Sequence, residues 1–445
     1  MSGPRHLVSI DDLSLAEITQ LFEHARHFSE NLRDSAEICR GLIAASVFYE
    51  PSTRTRLSFE SAMLRLGGGV VTAADMNASS ASKGESLADT VRVVSGAYAD
   101  ILVLRHPSEG AARLAARYSN VPVINAGDGS HEHPTQTLCD LYTLWIEKGR
   151  LEGLDVVLSG DLRYSRTIHS FVYALARFGA NLVCVPHQGL ELPDYVVKRL
   201  REEYGAEPQA ADASRLGDLA SSSDAMYITP TKPHQLSLYT EAQRGLRLVD
   251  HVDAVYMTRP QTERFGESDS ASNYIHLDTD IMSGEALREA VVMHPLPRRD
   301  EISPEFDADP RSIYFKQAAR GVPIRMAILG MLLGRLDFEH SPRPHLEATY
   351  PVKLGANPCP NMGCVSHTEI RQAPAAYRIV SRFPVRAVCA YCSRELNLTL
   401  VGSVGTPEAF RPDASKARRI EPSELVFFRD SAEAISAGFT VGSGT

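Results

Sequence analysis

The stretch FYEPSTRTRLSFESAMLRLGG, Phe48 to Gly68, decides how this chain folds. An apolar run ends at its start. Phe59, Ala62, Met63 and Leu66 then recur at i, i+3, i+4 and i+7, so a strand gives way to an amphipathic helix. Ser52 stands at the N-cap, and Ser52 to Arg56 crowd one serine, two threonines and two arginines into a chain of net charge −9. The free amides of the first helical turn, the hydroxyls of Ser52, Thr53 and Thr55, and the Arg54 guanidinium can converge on one anion. Helix N-termini favour negative charge, and arginine offers phosphate oxygens a planar fork of donors. A well-capped helix with solvated arginines is the competing reading of this stretch alone.

Outward from it, a first helix (about Leu15 to Leu32) precedes the apolar runs AASVFYEP, ILVLRHP and VPVINAGDG, which read as buried parallel strands. HPTQTLCDLYTLWIEKG is a long helix that closes the first half. The pattern restarts with LDVVLSGDLRYSRTIHSFVYALARFG, and NLVCVPHQG, SDAMYITPT, VDAVYMTRPQ and AVVMHPLPR follow as strands before the helix PIRMAILGMLLGRL. The fold class is therefore α/β: two doubly wound parallel-sheet domains, residues 1–150 and 151–336, plus a small C-terminal β-rich module. The helix at about 320–336 packs back on the first domain, and the Pro/His-rich segment 337–354 is a linker. SDAMYITPT and VDAVYMTRPQ resemble each other, either by local duplication or by shared composition.

Ligands of such sheets bind beyond the C-terminal strand ends. There the chain places Arg105 (LRHPSEG), His133, Thr135 and Gln136 (SHEHPTQT), Arg166 and Thr167 (LRYSRTIHS), Arg259 and Gln261 (MTRPQTER), and Leu296 and Pro297 (HPLPR). The small-residue loop SSASKGESLADT carries Ser79 and Lys83. Singly, each group has an ordinary structural explanation; together they collect at one end of the sheets. GxSxG and HExxH nucleophile and metal motifs do not occur, and Cys139 falls inside a helix. Arginines, hydroxyls, one histidine and one lysine suit transfer from an activated, phosphate-bearing donor, with positioning and charge stabilisation as the catalytic means.

With STRTR, SKGESLADT, RHPSEG, HPTQTLCDLYT, GDLRYSRTIHS, MTRPQTER, HPLPR and GVPIR in this order, the chain resembles the aspartate carbamoyltransferases over roughly Leu7 to Leu336. STRTR with HPTQ marks carbamoyltransferases as a group. HPLPR with TRPQTER points to aspartate as acceptor, where ornithine enzymes resemble HCLP and carry an SMG loop. The resemblance implies formation of N-carbamoyl-L-aspartate and phosphate from carbamoyl phosphate and L-aspartate, the committed step of pyrimidine synthesis, with no cofactor for the chemistry. It implies that Ser52, Thr53, Arg54, Thr55 and Arg105 grip the phosphate. Thr55, Arg105 and His133 would face the carbamoyl oxygen, and Gln136 with the carbonyls of Leu296 and Pro297 would hold the carbamoyl amine. Arg166, Thr167, Arg259, Gln261 and Lys83 would bind aspartate; Arg325 matches a family arginine near the site. The departing phosphate would take the amine's proton, and His133 would polarise the carbonyl, which requires it to be neutral near pH 7. Ser79 and Lys83 would come from the neighbouring subunit of a homotrimer. Between Gly205 and Arg259 the chain is about thirty residues longer than compact family members, which makes the place of Arg259 depend on aligning VDAVYMTRPQ, not its near-copy, with the acceptor-binding strand.

Four of the seven cysteines fall within 34 residues: Cys359-x4-Cys364, then 24 residues, then Cys389-x2-Cys392. Two such pairs suit one closed, structural zinc site; two disulfides are the alternative, against the reducing compartment expected here. CPNMGC and CAYC resemble the zinc domain of the regulatory chain that accompanies bacterial aspartate carbamoyltransferases, here residues 355–403 fused to a catalytic chain. Only a linker stands where that chain's nucleotide-binding domain would lie, so control by ATP and CTP through such a domain is not expected. Pairing of trimers through the zinc modules is left open. Residues 404–445 match no motif and read as a docking segment or a partly disordered tail.

The composition is that of a globular protein, 43% hydrophobic and 23% charged, and MSGPRHLVSIDDLS lacks the layout of a signal peptide, so the cytoplasm is the expected compartment. Absence of a membrane-length apolar run and the acidic balance argue against membrane and nucleic acid as partners. Carbamoyl transfer to another amino acid, and an inactive subunit organising other enzymes, are the alternatives.

Overall fold

Buried β-strands and the helices that cover them are described, in this computed structural model, for residues 3–33, 35–74, 76, 84–212, 215, 223–229, 253–259, 277–283, 287–339, 348–354 and 359–441. Ser14 and Glu17 form a capping box that starts α1 (Leu15–Glu30). The first sheet region then runs β1 (Ile43–Phe48), α2 (Thr53–Arg65), β2 (Gly69–Ala73), α3 (Leu87–Val93), β3 (Ile101–His106), α4 (Ala111–Tyr118), β4 (Val123–Asp128) and α5 (Pro134–Lys148). Its strands are parallel in the order β2-β1-β3-β4. Chain direction across the sheet reverses between β1 and β3, which opens a crevice at their C-terminal ends. Every residue of β3 and β4 is buried, as continuous apolar runs covered on both faces require. Strand β2 is a half-exposed edge with no such run, and sequence pattern alone does not reveal it.

The second region comprises β5 (Asp155–Gly160), α6 (Arg166–Arg177), β6 (Asn181–Pro186), α7 (Asp194–Tyr204), β7 (Gln209–Ala210), β8 (Ala225–Thr229), β9 (Ala254–Met257), α8 (Thr279–Met282), β10 (Val291–Met293) and α9 (Tyr314–Leu332). These strands are also parallel, in the order β10-β9-β8-β5-β6-β7, with the switch between β5 and β8. The two similar segments are β8 and β9, adjacent and in register from Ala225↔Ala254. Each copy has its own strand, so the first does not displace the second, and Arg259 follows β9. Tyr227 and Tyr256, matched across the pair, stack with centroids 4.3 Å apart. The extra length between Gly205 and Arg259 lies largely outside the described residues.

Helix α9 begins nine residues before Pro323, which sits inside it. Read from sequence, the proline marks a helix start, because it lacks the N–H that an interior turn needs. The helix lies against α1, α2 and α5 and returns the chain to the first region.

The C-terminal part has two small sheets. One joins β11 (Tyr350–Pro351), β12 (Ala376–Arg382) and β13 (Val385–Cys389), with α10 (Val365–Thr368) after the second cysteine. The other contains β14 (Leu400–Ser403), β15 (Thr406–Phe410), β16 (Leu425–Phe428) and β17 (Thr440–Val441), with α11 (Ser431–Ser436) before the last strand. Residues 404–441 are thus folded, and a boundary at 403 cuts the β14–β15 hairpin. Tyr377 explains the attachment. Fully buried, it meets Phe427 edge-on at 4.4 Å and donates its hydroxyl to the Pro422 carbonyl.

This C-terminal part docks on its own chain. Glu109 N–H donates to the Gly363 carbonyl at 2.8 Å, Val365 N–H donates to the Glu109 carbonyl at 2.9 Å, and Asn361 Nδ2 reaches Glu109 Oε2 at 2.7 Å. Gly110, at φ +81°, admits the Tyr391 backbone so closely that a Cβ would lie 2.6 Å from it. Leu102, Leu104 and Leu114 share one buried cluster with Cys364, Tyr391 and Phe427. The module also reaches α7, where Lys198 pairs with Glu395 at 2.8 Å and Arg394 lies 3.9 Å over the Tyr195 ring. Among the described residues, no helix is long and apolar enough to cross a membrane.

Candidate functional site

Ser52 is the N-cap of α2, yet its hydroxyl makes no hydrogen bond to the first-turn amides. Thr55 is buried in that turn and Arg54 stands at its outer side. Partial burial, and then the nearby positive charge of Arg259, hold the Arg54 pKa below its ordinary value. Arg259, at the end of β9 in the second region, therefore approaches the α2 N-terminus of the first.

Arg105 ends β3 opposite Phe48 in the register, beside the turn that leads to Ser52. It is 9% exposed, donates to the Ala126 carbonyl at 3.1 Å and lies 3.4 Å from Glu50 Oε2. Gly127 lets Arg105 and His133 converge: at φ +112° its missing Cβ would stand 3.1 Å from Arg105 Nη1 and 3.3 Å from His133 Cδ2. The loop between them is tied by Asp128, which accepts from Gly110 N–H, Asn125 Nδ2 and Glu132 N–H at 2.8, 2.9 and 3.1 Å. His133 is buried at the N-cap of α5, its backbone N–H donating to Ser170 of α6 at 3.0 Å.

Gln136, one turn into α5, directs Nε2 to Asp140 Oδ1 at 2.8 Å. The HPLPR segment is held by His294, whose Nδ1 accepts Leu296 N–H at 2.8 Å while Nε2 meets Glu301 Oε1, also at 2.8 Å. With Nδ1 accepting, the ring proton belongs on Nε2. This clamp keeps Leu296 at φ +53°, a strained value for a branched side chain, ahead of the cis bond to Pro297.

Other expected residues stand further back or outside the described set. Thr167 hydrogen-bonds with Tyr227 at 3.0 Å and Ser165 at 3.2 Å, and Arg166 occupies the first turn of α6. Arg325 is 4% exposed, with Nη1 on Ser58, Cys139 and the Gly321 carbonyl; it braces α2 and α5 from behind. Ser79, Lys83 and Gln261 lie outside the described residues.

Sequence pattern missed Glu50, Asp128, His294, Gln317 and above all Asp140. For Asp140 and Gln317 the signal is a polar residue on the buried face of a helix, Asp140 four residues beyond Gln136. Asp140 is 1% exposed and accepts from Gln136, Gln317 and Tyr256.

In the C-terminal module, Cys359, Cys364, Cys389 and Cys392 are buried and their sulfur atoms all lie within 4.8 Å of one another. Cys359–Cys392 and Cys364–Cys389 are separated by 3.6 and 3.7 Å. Both distances exceed a disulfide bond and match the edge of about 3.8 Å expected for thiolates about 2.3 Å from a tetrahedral centre.

Family models match this arrangement in three consecutive parts. Residues 5–146 match the carbamoyl-P binding domain of aspartate/ornithine carbamoyltransferases, residues 231–332 the Asp/Orn binding domain, and residues 355–400 the metal binding domain of the aspartate carbamoyltransferase regulatory chain. The chain belongs to the aspartate carbamoyltransferase family. Catalytic subunits of Thermoplasma acidophilum and Methanocaldococcus jannaschii are 43% and 44% identical to it over 335 residues, each match spanning 74% of this chain and 98% of the relative. The crystal structure of the M. jannaschii subunit matches at TM-score 0.60 and 42% identity, covering 74% of this chain and 98% of that one. An aspartate transcarbamoylase from Trypanosoma cruzi, solved with N-(phosphonacetyl)-L-aspartate, matches at TM-score 0.60 and 34% identity, covering 74% and 95%. Carbamoyl-group transfer to aspartate is thus the family's reaction and this chain's, and a regulatory-chain metal-binding domain follows the catalytic domains in the same polypeptide.

Burial pushes Asp140 up to about 7, against lowering by Gln317, Gln136, Tyr256 and Arg325. Between about pH 4 and 7 the folded chain keeps a proton that the unfolded chain has released, so stability falls as pH rises, by at most about 1.4 kcal/mol per unit. Asp140→Asn lacks that slope. Its melting temperature relative to wild type is expected to rise from pH 5 to pH 8; an opposite trend in calorimetry contradicts the assignment. Cys364→Ser is expected to lose the bound metal and melt at lower temperature, and full metal content by elemental analysis would contradict the four-thiolate site.

Proposed function

We propose that carbamoyl phosphate binds across the α2 N-terminus, with Ser52, Thr53, Arg54, Thr55 and Arg105 on its phosphate, and that aspartate enters from the second region. Arg166, Thr167, Arg259 and Gln261, with Lys83, receive its two carboxylates. The approach of Arg259 to Arg54 carries this reading, because two cations from different domains tolerate one another best around shared anions.

The aspartate amine attacks the carbamoyl carbon and forms the C–N bond. Negative charge that develops on the carbonyl oxygen is met by Thr55, Arg105 and His133. As the tetrahedral centre collapses, the C–O bond to phosphate breaks, and the departing phosphate accepts the amine proton. The Thr135 hydroxyl lies 3.5 Å from His133 Nδ1, on the side of the ring away from Nε2, and Nε2 is the atom that meets the carbonyl oxygen. Gln136 and the carbonyls of Leu296 and Pro297 hold the carbamoyl amine. Arg325 supports α2 from behind.

The catalytic unit is a homotrimer with shared sites, in which Ser79 and Lys83 reach the neighbouring subunit. Exposed Val71, Val93 and Tyr98, on the elements that flank that loop in sequence, and Leu57 and Leu64 on one face of α2, support such an interface. The four-cysteine site holds zinc as a structural ion closed off from substrate. The enzyme works in the cytoplasm, where free thiols persist.

The test is carbamoyl transfer by the purified full chain, with aspartate and ornithine as parallel acceptors. Turnover with aspartate alone is expected. Turnover with ornithine instead would leave the α2 cradle standing and overturn the acceptor assignments; no turnover in folded, metal-loaded protein would overturn the whole reading.

A further inference from the structure

Asp140 sits behind both arms that face the carbamoyl amine. Its Oδ1 accepts Gln136 Nε2 and Gln317 Nε2, each at 2.8 Å, and its Oδ2 accepts the Tyr256 hydroxyl at 2.9 Å. Whether Asp140 is ionised or carries its proton on Oδ2, Oδ1 has only lone pairs to offer, so each glutamine turns its NH2 group inward and its carbonyl oxygen away. For Gln136 that leaves Oε1 out of the bond to Asp140 and, in the proposed site, available to the carbamoyl amine. For Gln317 it directs Oε1 to the His294 backbone N–H, at 2.8 Å. His294 in turn fixes Leu296 through Nδ1, at 2.8 Å. One buried group on α5 therefore sets the amide on its own helix and, through α9, the strained loop after β10.

We propose that Asp140 is the positioning residue that makes this site select a carbamoyl over an acetyl phosphate, by holding Gln136 Oε1 and the Leu296 and Pro297 carbonyls as acceptors for an NH2 group. This deepens the proposed reaction and rests on it. A carbamoyl group brings two N–H donors to these acceptors, whereas an acetyl group brings a methyl and leaves buried carbonyls unpaired. Sites built to hydrogen-bond a ligand group reject the analogue that lacks it far more strongly than apolar pockets reject size differences.

Other groups facing Asp140 fit the role. Arg325 of α9 acts on it as a nearby positive charge. Tyr256 of β9 continues through Tyr227 of β8 to Thr167, so the same carboxylate also ties down the strand that leads to Arg259. Neighbouring Cys139 is buried with a raised pKa, chiefly from burial, and stays a neutral thiol. Protonation of Oδ2 would let Asp140 donate to Tyr256 while Oδ1 still accepted both glutamines, so the orientation survives titration of the carboxyl.

The experiment compares KM for carbamoyl phosphate, at saturating aspartate, with the inhibition constant of acetyl phosphate in the full-length enzyme. Asp140→Leu is expected to weaken carbamoyl phosphate at least about 10-fold and acetyl phosphate by less than about 2-fold, with a smaller effect on kcat. Asp140→Asn keeps one oxygen for both glutamines and is expected to restore the wild-type ratio to within about 3-fold. Should Asp140→Leu not fold, Gln317→Leu removes one arm and carries the same comparison. Equal weakening of both phosphates, or an asparagine variant no better than leucine, would overturn the proposal and leave Asp140 a plain structural tie. Equal affinity of wild type for the two phosphates would overturn it as well, while transfer to aspartate, read separately, would still stand.

Discussion

Two guanidinium groups from different domains, Arg54 at the start of α2 and Arg259 after β9, stand near enough that Arg259, after partial burial, disfavours the charge on Arg54. Most of the site follows from that repulsion. An anion between them converts a repulsive pair into two attractive ones. The fold supplies the setting: both cations lie where parallel strands end, beside helix N-termini whose amides add to the positive potential. Ser52 fits the same logic, since its hydroxyl is withheld from the usual capping bond.

A second constraint is the buried polar framework beneath the cradle. Asp128 orders the loop between Arg105 and His133, and Asp140 orders the two glutamines. Neither carboxylate is free to relax without leaving buried donors unmet. The loop after β3 also receives the cysteine module, through Glu109 and Gly110. In this polypeptide a module resembling a separate regulatory chain's domain is attached covalently and shares a core with the first region. Its docking is then an intramolecular event, independent of any subunit concentration.

The buried parallel strands β1, β3 and β4 were legible because their apolar runs are unbroken, and α2 because its cap precedes a clear helical period. Cysteine spacing foretold the cluster. Edge strand β2 was not legible: Val70, Val71 and Thr72 lie between glycines and a half-exposed face, where no run is required. Pro323 hid the first half of α9. The tail was opaque because its short strands owe their order to Tyr377 and Phe427, residues far apart in sequence. At the site, cations at strand ends stood out against an acidic chain. Asp140 did not, since one polar residue within a buried helical face says nothing of its three partners until α5, α9 and β9 are brought together.

The most direct measurement is calorimetric binding of N-(phosphonacetyl)-L-aspartate, a single molecule with phosphonate and both carboxylates, to wild type, Arg54→Ala, Arg259→Ala and the double variant. Convergence of the two arginines on one ligand predicts that each single substitution weakens binding at least about 100-fold, about 2.7 kcal/mol, and that the two losses are not additive. Affinity within about 3-fold of wild type for either single variant would contradict a shared anion site.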